Sequence, residues 1–228
     1  MLKRTTNSEP LNWLIHHIQV VSIEKQKPFI QGKLLDIGCG QKPYREIIGS
    51  SCIEYIGLEN INSLHNLSHV DVIGDALKLP FHDKSFNTVV SFQVMEHIPE
   101  PQQFLDEVYR VLVPGGHAIL TTPFLWGEHE IPYDFFRYTR YGLKYLVTKS
   151  GFEIVTIEPQ SKFWSMIVLR FNYYLARFFK GPLRFIPYPI YLIDQIVAYL
   201  LDLMPHNYTI DTVGFTTVIK KPTATMDH

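Results

Sequence analysis

The sequence lacks the features that mark several classes of protein. It has only two cysteines among 228 residues, Cys39 and Cys52, so we expect no disulfide framework and a reduced, cytoplasmic setting. No stretch of about 18 consecutive apolar residues occurs, which argues against a membrane-spanning helix. The net charge of −1 argues against a dedicated nucleic-acid-binding protein. The first residues carry positive charge but no apolar run typical of a signal peptide.

What the chain does have is a series of short apolar segments that alternate with helical patterns. This alternation predicts βαβ units and an α/β fold with a doubly wound, Rossmann-like sheet. We expect seven strands, the last of them antiparallel, within a single domain of residues 1–228. The expected parts are a leading helix in residues 10–32, a core in residues 33–158, a helical insert in residues 160–206 and a final strand in residues 207–221.

The segment KLLDIGCGQKPY leads from a buried strand into a glycine turn. Gly38 and Gly40 lack a Cβ, so the backbone there can approach a ligand closely. The carboxyl end of a parallel strand is also where doubly wound sheets bind nucleotides. The dinucleotide fingerprint needs a third glycine, but this chain has Pro43 at that position. Because Asp36 would also repel a pyrophosphate, the loop favours a ligand that carries positive charge.

Two further carboxylates come at the ends of the next two strands. Glu59 follows the glycines by about 20 residues, where a carboxylate can accept hydrogen bonds from both ribose hydroxyls. Asp75 ends the third strand, where it can accept a hydrogen bond from the adenine amine, or else cap a helix. Carboxylates at the loop, the ribose and the base describe a cationic nucleoside without phosphates. S-adenosyl-L-methionine is such a ligand.

Four segments taken in order carry a family resemblance: LLDIGCG, YIGLEN, GDALKLPF and FNTVVSFQVMEHI. Together they resemble the class I S-adenosylmethionine-dependent methyltransferases of the methyltransferase type 11 kind. The resemblance covers Lys33 to Glu158. One departure is Asn87, since these proteins more often have an aspartate at the start of the fourth strand.

The resemblance implies a set of cofactor-binding residues. Asp36, Gly38 and Gly40 would line the methionine side of the cofactor, and Glu59 would hold the ribose. Cys39 belongs to the same segment, and we expect its side chain to be a small buried one.

At the other end of the cofactor, the resemblance implies four more residues. Asp75 and the backbone of Ala76 would bind the adenine edge. Phe92 or Gln93, at the end of the fourth strand, would close over the cofactor.

Candidate residues for binding a methyl acceptor follow the fourth and fifth strands. Glu96 and His97 follow the fourth, and the segment PFLWGEHEIPYDFFRYT follows the fifth. An alcohol acceptor needs a base to remove its proton. We predict that His129 is this base, Asp134 its orienter or a substrate ligand, and Arg137 an anchor for an anion. Alternatively, Asp134 and Arg137 form an ion pair at i, i+3 that fixes the loop.

The sequence predicts no metal site. The His-Glu pair at residues 129–130 lacks the second histidine of a zinc motif, and no C-x-x-C segment occurs. A run similar to H-E-x-P-x-D-F-x-R-Y-T is found in bacterial methyltransferases of this type, many of them associated with polysaccharide or lipid-linked sugar synthesis. This resemblance implies a sugar or a lipid-linked small molecule as the acceptor.

The predicted insert, residues 160–206, is rich in aromatic residues interleaved with lysines and arginines. We predict two helices in it, Lys162–Lys180 and Pro189–Met204. Basic and aromatic residues on an apolar helix suit the surface of a membrane, where the insert would reach a lipid-borne acceptor at the inner face. The alternatives are a lid or a homodimer face. We expect no binding to nucleic acid.

The sequence as a whole predicts O-methylation of a sugar or lipid-linked acceptor with S-adenosyl-L-methionine as cofactor. The apolar insert also suits a quinone-like or other small metabolite. A third hypothesis is a cofactor-binding subunit that has no activity and interacts through the insert.

Overall fold

The structure is a computed structural model that describes residues 10–205 and 211–223, and a mixed β-sheet forms its centre. The strands of the described part are β1 (Lys33–Ile37), β2 (Glu54–Glu59), β3 (Val72–Ile73), β4 (Phe86–Phe92), β5 (Leu112–Pro123), β6 (Glu153–Pro159) and β7 (Gly214–Lys220). Their order across the sheet is β3-β2-β1-β4-β5-β7-β6. Strand β7 is antiparallel to both of its neighbours, and the pairs from β3 to β5 are parallel. The predicted fold class, including the antiparallel last strand, is confirmed.

Six α-helices accompany this sheet in the described residues: α1 (Trp13–Glu24), α2 (Arg45–Ile48), α3 (Pro101–Val111), α4 (Arg140–Lys149), α5 (Phe163–Leu175) and α6 (Tyr188–Asp202). The leading segment is helical over a shorter range than predicted, because a separate 3₁₀ turn at Lys27–Phe29 contains Pro28. The final strand begins at Gly214, and residues 207–210 of its predicted range lie outside the described residues.

The central strands are buried on both faces because helices cover both sides of the sheet. Leu35 and Val89 belong to a large cluster that also contains the apolar face of α3. Leu34 and Val90, one position along in each strand, belong to a second cluster on the opposite face. Neighbouring side chains in a strand point to opposite faces, so a continuous apolar run is what this position in the fold requires.

Helices α5 and α6 form a hairpin that packs on α1. Apolar residues from all three helices form a common cluster, to which Leu14, Leu169 and Ala198 belong. Asp202, at the end of α6, accepts hydrogen bonds from the backbone N–H groups of Trp164 and Ser165 in the first turn of α5. These bonds satisfy donors that the start of a helix leaves unpaired. The start and the end of the hairpin are therefore joined to each other.

The hairpin starts at the functionally important edge of the sheet. Strand β6 is antiparallel to β7, which is antiparallel to β5, so β6 ends at the same edge as β5, β4 and β1. Helix α5 follows directly. Among the described residues, none of the helices has the length and apolar character needed to span a bilayer.

Candidate active site

The glycine turn after β1 lies against the end of β2. The N–H groups of Gly38 and Cys39 both donate to the backbone oxygen of Leu58, at 2.9 and 3.1 Å. Gly38 has φ +73°, and a Cβ on it would lie 2.3 Å from Val94 Cγ2. Gly40 has φ +50°. Any other residue at these positions would be strained, and at Gly38 it would also displace Val94.

Glu59 lies directly beside this turn. Its carboxylate is buried and accepts hydrogen bonds from the N–H of Gly40 at 2.8 Å and from the N–H of Asn60 at 3.0 Å. Two carboxylate oxygens offer about four acceptor positions, so two remain for the hydroxyls of a ribose. The structure therefore brings the glycines and Glu59 together, as the sequence predicted.

Asp36 is buried at the end of β1 and accepts a hydrogen bond from the hydroxyl of Tyr55. Burial raises the pKa of this carboxyl group to about 7; the Tyr55 hydrogen bond lowers it, the nearby Glu59 raises it, and Lys42 lowers it. Its one described hydrogen bond goes to another side chain of the protein. A direct contact of Asp36 with the cofactor stays a prediction.

Cys39, between the two glycines, is also buried. Burial, followed by the negative charge of Asp36 and Glu59, raises the pKa of its thiol to about 12. The thiol therefore stays protonated at neutral pH and serves as a small packing group.

Lys42 is a residue at this site that the sequence analysis missed. Its side chain is only 3% exposed, and its Nζ lies 2.5 Å from Asp71 Oδ2. Asp71 also accepts a hydrogen bond from the N–H of Gly57 at 2.7 Å. The pair joins the glycine turn to β2 and places a positive charge among the buried acids. Nothing in the spacing of Lys42 distinguishes it from an exposed lysine.

The predicted adenine-side residues lie at the same edge of the sheet. Asp75 is exposed, and its Oδ1 accepts a hydrogen bond from the N–H of Leu77 at 2.9 Å. It thus caps a local turn, and Ala76 lies within that turn. The binding of adenine by these residues stays a prediction.

Phe92 and Gln93 end β4 at the same edge. Gln93 has φ +56°, and its N–H donates to the backbone oxygen of Thr121 at 3.0 Å. The Phe92 ring packs edge-on against Tyr44, with centroids 5.3 Å apart. Both residues are therefore held in place beside the glycine turn, and closure over a cofactor remains a prediction for them.

A second cluster joins the end of β4 to the loop after β5. It contains Glu96, His97, His129 and Glu130. Glu96 Oε1 lies 3.9 Å from His97 Nε2 and 4.0 Å from His129 Nε2. His97 Nε2 lies 3.9 Å from Glu130 Oε2. The rings of the two histidines meet edge to face, with centroids 4.8 Å apart.

Glu96 is an unusual member of this cluster. Its side chain is 0% exposed, and neither carboxylate oxygen has a hydrogen-bond partner among the described residues. Burial raises the pKa of Glu96 to about 8. The pKa is raised because a buried, charged carboxylate without partners is costly. The sequence alone did not predict that Glu96 is buried without a partner. The only available signal was the position of Glu96 just after a central strand.

Both histidines turn their second ring nitrogen toward an acceptor. His97 Nδ1 lies 2.5 Å from the backbone oxygen of Tyr133. His129 Nδ1 lies 3.3 Å from the backbone oxygen of Gly127 and 3.4 Å from Asp134 Oδ2. Burial lowers the pKa of His129, although Asp134 opposes this. Since a carbonyl oxygen only accepts, Nδ1 of His97 carries the proton, and its Nε2 lone pair is the one near Glu96. The Nδ1 atom of His129 also lies 3.4 Å from the donor Nη2 of Arg137, and its Nε2 atom faces Glu96.

Asp134 and Arg137 form the ion pair that the sequence analysis gave as an alternative. Two parallel bonds of 2.6 and 2.7 Å join the guanidinium to the carboxylate. The other guanidinium N–H groups donate to the backbone oxygens of Trp126, Gly127 and Phe136. Arg137 thus directs all five of its donors at its own loop, which leaves none in this arrangement for the predicted anchoring of an anion.

The glycine turn and the second cluster are connected. A Cβ on Gly40 would lie 3.6 Å from the His65 ring, and His65 Nε2 lies 4.0 Å from Glu130 Oε1. Val94, which Gly38 contacts, comes two residues before Glu96 in the chain. One edge of the sheet therefore carries both the glycine turn with its carboxyl groups and the cluster of Glu96, His97, His129 and Glu130.

Comparisons with known proteins agree with this arrangement. Residues 35–120 match the protein family described as methyltransferase domain. This segment of the chain is therefore similar to the methyltransferase family that the sequence predicted. It contains the glycine turn, Glu59 and Glu96, so the similarity includes the residues described above.

Two curated relatives resemble part of this chain. A probable S-adenosylmethionine-dependent methyltransferase of Mycolicibacterium smegmatis is 35% identical over 98 residues, which are 40% of this chain and 37% of that protein. A ubiquinone biosynthesis O-methyltransferase of Psychrobacter cryohalolentis is 29% identical over 132 residues, 49% of this chain and 51% of that protein. The matches thus span about half or less of these relatives.

The crystal structure of the cyclase SpnF resembles the whole methyltransferase fold. It has a TM-score of 0.62 and 21% identity, and the match covers 90% of this chain and 81% of that one. Since that protein is named for a different reaction, the fold alone leaves the activity open. The site itself fits S-adenosylmethionine: glycines leave room for close backbone approach, and the nearby carboxylates suit a cation better than a phosphate.

Asp36 gives a prediction for the pH dependence of stability. With its pKa raised from 3.8 to about 7, the folded protein keeps a proton that the unfolded chain releases. The stabilisation is therefore complete below about pH 4 and is lost as the pH rises through about 7. Asp36→Asn cannot titrate, so between pH 5 and 8 it should lose less stability than the wild type, by at most about 3 kcal/mol.

Urea denaturation at pH 5, 6, 7 and 8 measures this difference. Glu153→Gln, at an exposed position, is the control and should follow the wild type. Parallel stability curves for Asp36→Asn and the wild type would show that Asp36 titrates normally.

Proposed function

We propose that this protein transfers a methyl group from S-adenosyl-L-methionine to a hydroxyl oxygen of a lipid-linked small molecule. The observation that carries this proposal is the cluster of Glu96, His97 and His129 at the edge of the sheet that also holds the glycine turn. The cofactor supplies an electrophilic methyl group bound to a positive sulfur. The protein has to bind it, orient the acceptor and accept a proton.

Cofactor binding is assigned to the turn at Gly38 and Gly40, with Glu59 on the ribose and Asp75 toward the adenine. The two glycines allow close backbone approach, and the acids favour the positive charge of the ligand. Orientation of the two reactants near the line of displacement supplies much of the rate in such a transfer.

Proton removal is assigned to the second cluster. The acceptor oxygen forms a bond to the methyl carbon, the electrons of the carbon–sulfur bond return to sulfur, and the hydroxyl proton passes to the cluster. His129 is suited to this step because its Nε2 atom faces Glu96, on the side of the ring away from Asp134. Asp134 holds the backbone N–H of His129 at 2.8 Å and so fixes the position of the ring. The relative named as a ubiquinone biosynthesis O-methyltransferase supports a hydroxyl acceptor.

The lipid-linked character of the acceptor is inferred from the α5–α6 hairpin. Helix α6 differs from an ordinary surface helix, because polar residues, Gln195 and Asp202, lie on its buried side. Its exposed side carries no charged residue. The exposed large apolar residues on α6 and just beyond it are Ile190, Leu192, Ile193, Ile196, Val197, Leu200, Leu203 and Met204. An apolar surface of this kind marks a contact with a membrane or a protein.

Charge favours a membrane as the occupant of this surface. The same hairpin carries exposed cations at Arg170, Arg177, Lys180 and Arg184. The two acids of the hairpin both interact within the protein, since Asp202 is buried and Asp194 accepts a hydrogen bond from Asn172. Apolar residues flanked by cations match the acyl boundary and anionic head groups of a bilayer.

The hairpin also contacts the loop that carries His129. The Trp126 ring packs against Tyr173 of α5, with centroids 5.0 Å apart. The guanidinium of Arg170 lies beside Gly127, where a Cβ would be 2.9 Å from Nη1. A membrane-bound hairpin would therefore present the acceptor site to molecules anchored in the same bilayer.

Glu59→Gln tests the cofactor site. The amide keeps one acceptor for the N–H of Gly40 but loses the charge, so affinity for S-adenosylmethionine should fall about 10-fold or more. Calorimetric titration measures the affinity, with Glu153→Gln as the control. If the wild type binds neither S-adenosylmethionine nor the product S-adenosylhomocysteine, the proposal is wrong.

His129→Ala tests the acceptor site. Transfer of a labelled methyl group to octyl glucoside and to an isoprenylated catechol should fall about 100-fold or more, with unchanged affinity for the cofactor. His69→Ala, at an exposed position outside the cluster, should transfer normally. If the wild type methylates neither compound, the proposed acceptor class is wrong.

Flotation with liposomes tests the hairpin. The protein should float with phosphatidylglycerol vesicles in a salt-sensitive way and much less with phosphatidylcholine. Ile196→Glu should abolish flotation, whereas Ile53→Glu, at a 92% exposed isoleucine before β2, should not. A concentration-dependent dimer that Ile196→Glu abolishes, without flotation of the wild type, would contradict the membrane and favour a homodimer face.

A further inference from the structure

We infer that Glu96, His97 and His129 form a binding site for a divalent metal ion, with Glu130 as a further ligand. The sequence predicted no metal, because the residues come from two separate segments and match no spaced motif. In the structure the candidate ligand atoms of the first three residues all lie within 4.8 Å of one another.

The spacing of these atoms excludes direct hydrogen bonds. Glu96 Oε1 is 3.9 Å from one Nε2 and 4.0 Å from the other, whereas a hydrogen bond needs about 3 Å. The buried carboxylate nevertheless has no other hydrogen-bond partner among the described residues. Ligands of one tetrahedral zinc ion are about 3.3 Å apart, since each bond is about 2.0 Å long. A closure of at most about 1.5 Å between any two of the atoms would bring them into this geometry.

The second nitrogen of each histidine supports the same conclusion. His97 Nδ1 faces a backbone oxygen at 2.5 Å, and His129 Nδ1 faces a backbone oxygen and Asp134 Oδ2 at 3.3 and 3.4 Å. Histidines that bind metals commonly donate this N–H to a carbonyl or a carboxylate, which aims the Nε2 lone pair at the ion. Here the Nε2 atoms of both histidines lie near one buried carboxyl group. These three side chains can all serve as metal ligands, because a bound ion would replace the protons that they carry without it.

The chemistry of the ligands indicates the class of ion. Two imidazole nitrogens and carboxylate oxygens suit a divalent ion of intermediate softness such as Zn²⁺. The histidines and Glu130 are partly exposed, with side-chain exposures of 17%, 31% and 25%. The ion would therefore keep positions open toward solvent, as in catalytic rather than structural sites.

The role of such an ion deepens the proposed function and rests on it. A divalent cation stabilises the negative charge that develops on a hydroxyl oxygen as its proton leaves. With the ion bound, His129 would be one of its ligands, so the proton of the acceptor would pass to solvent instead of to His129. The atoms transferred between the cofactor and the acceptor remain the same. Binding of the ion itself does not depend on the proposed acceptor.

The test measures metal binding without turnover. The chelator-treated protein is titrated with Zn²⁺ by calorimetry and with Co²⁺ by visible absorption. We expect one ion of each kind per chain and a Co²⁺ spectrum typical of nitrogen ligands. Glu96→Gln, His97→Ala and His129→Ala should each weaken Zn²⁺ binding about 100-fold or more, while His69→Ala should bind normally. Circular dichroism checks that each variant folds.

Two results would overturn the inference. One is the absence of stoichiometric binding by the wild type. The other is Zn²⁺ affinity that Glu96→Gln and His129→Ala leave unchanged. A chain that binds S-adenosylmethionine and methylates its acceptor, but shows no stoichiometric Zn²⁺ binding, would leave the proposed function intact and the metal site refuted. A chain that binds Zn²⁺ but not the cofactor would support the metal site and contradict the proposed function.

Discussion

The hydrogen bond from the N–H of Gly40 to the carboxylate of Glu59 joins the ends of two parallel strands. Because β1 and β2 run side by side in register, this bond can form only where both strands stop. It fixes the glycine turn against the sheet edge, and the turn in turn contacts Val94 and His65. These contacts connect the turn with the second cluster, so the position of the whole candidate site depends on where two neighbouring strands end.

Features that depend on local chemistry could be predicted from the sequence. The glycines were identified because a turn that lets backbone approach a ligand requires residues without a Cβ, and Glu59 because it ends the next strand. Glu96 was noted only as a nearby candidate. Its burial and its lack of partners depend on the fold of the loop after β5, which comes about 30 residues later in the chain. Contacts between distant segments leave no periodic pattern that a single sequence could reveal.

Charged residues show the same limit. Lys42 reads as an ordinary surface lysine, yet its side chain is buried against Asp71. In the sequence Arg137 looks like a free cation, yet its guanidinium donates hydrogen bonds to backbone oxygens of its own loop. In α6, by contrast, the sequence correctly showed an apolar helix, but only the structure shows that Gln195 and Asp202 point inward. Composition predicts which residues a segment contains, whereas their direction depends on what it packs against.

The wrapping of the loop around Arg137 has a consequence for the choice of substrate. Asp134 and three backbone oxygens hold the guanidinium, so the backbone between residues 126 and 137 is a stiff rim. Ile131, Tyr133 and Phe135 stand exposed on it. A stiff rim selects molecules by the shape of the side chains that it displays. Substitution of those three side chains, with the rim itself kept, is therefore the means by which this scaffold could diversify toward new acceptors.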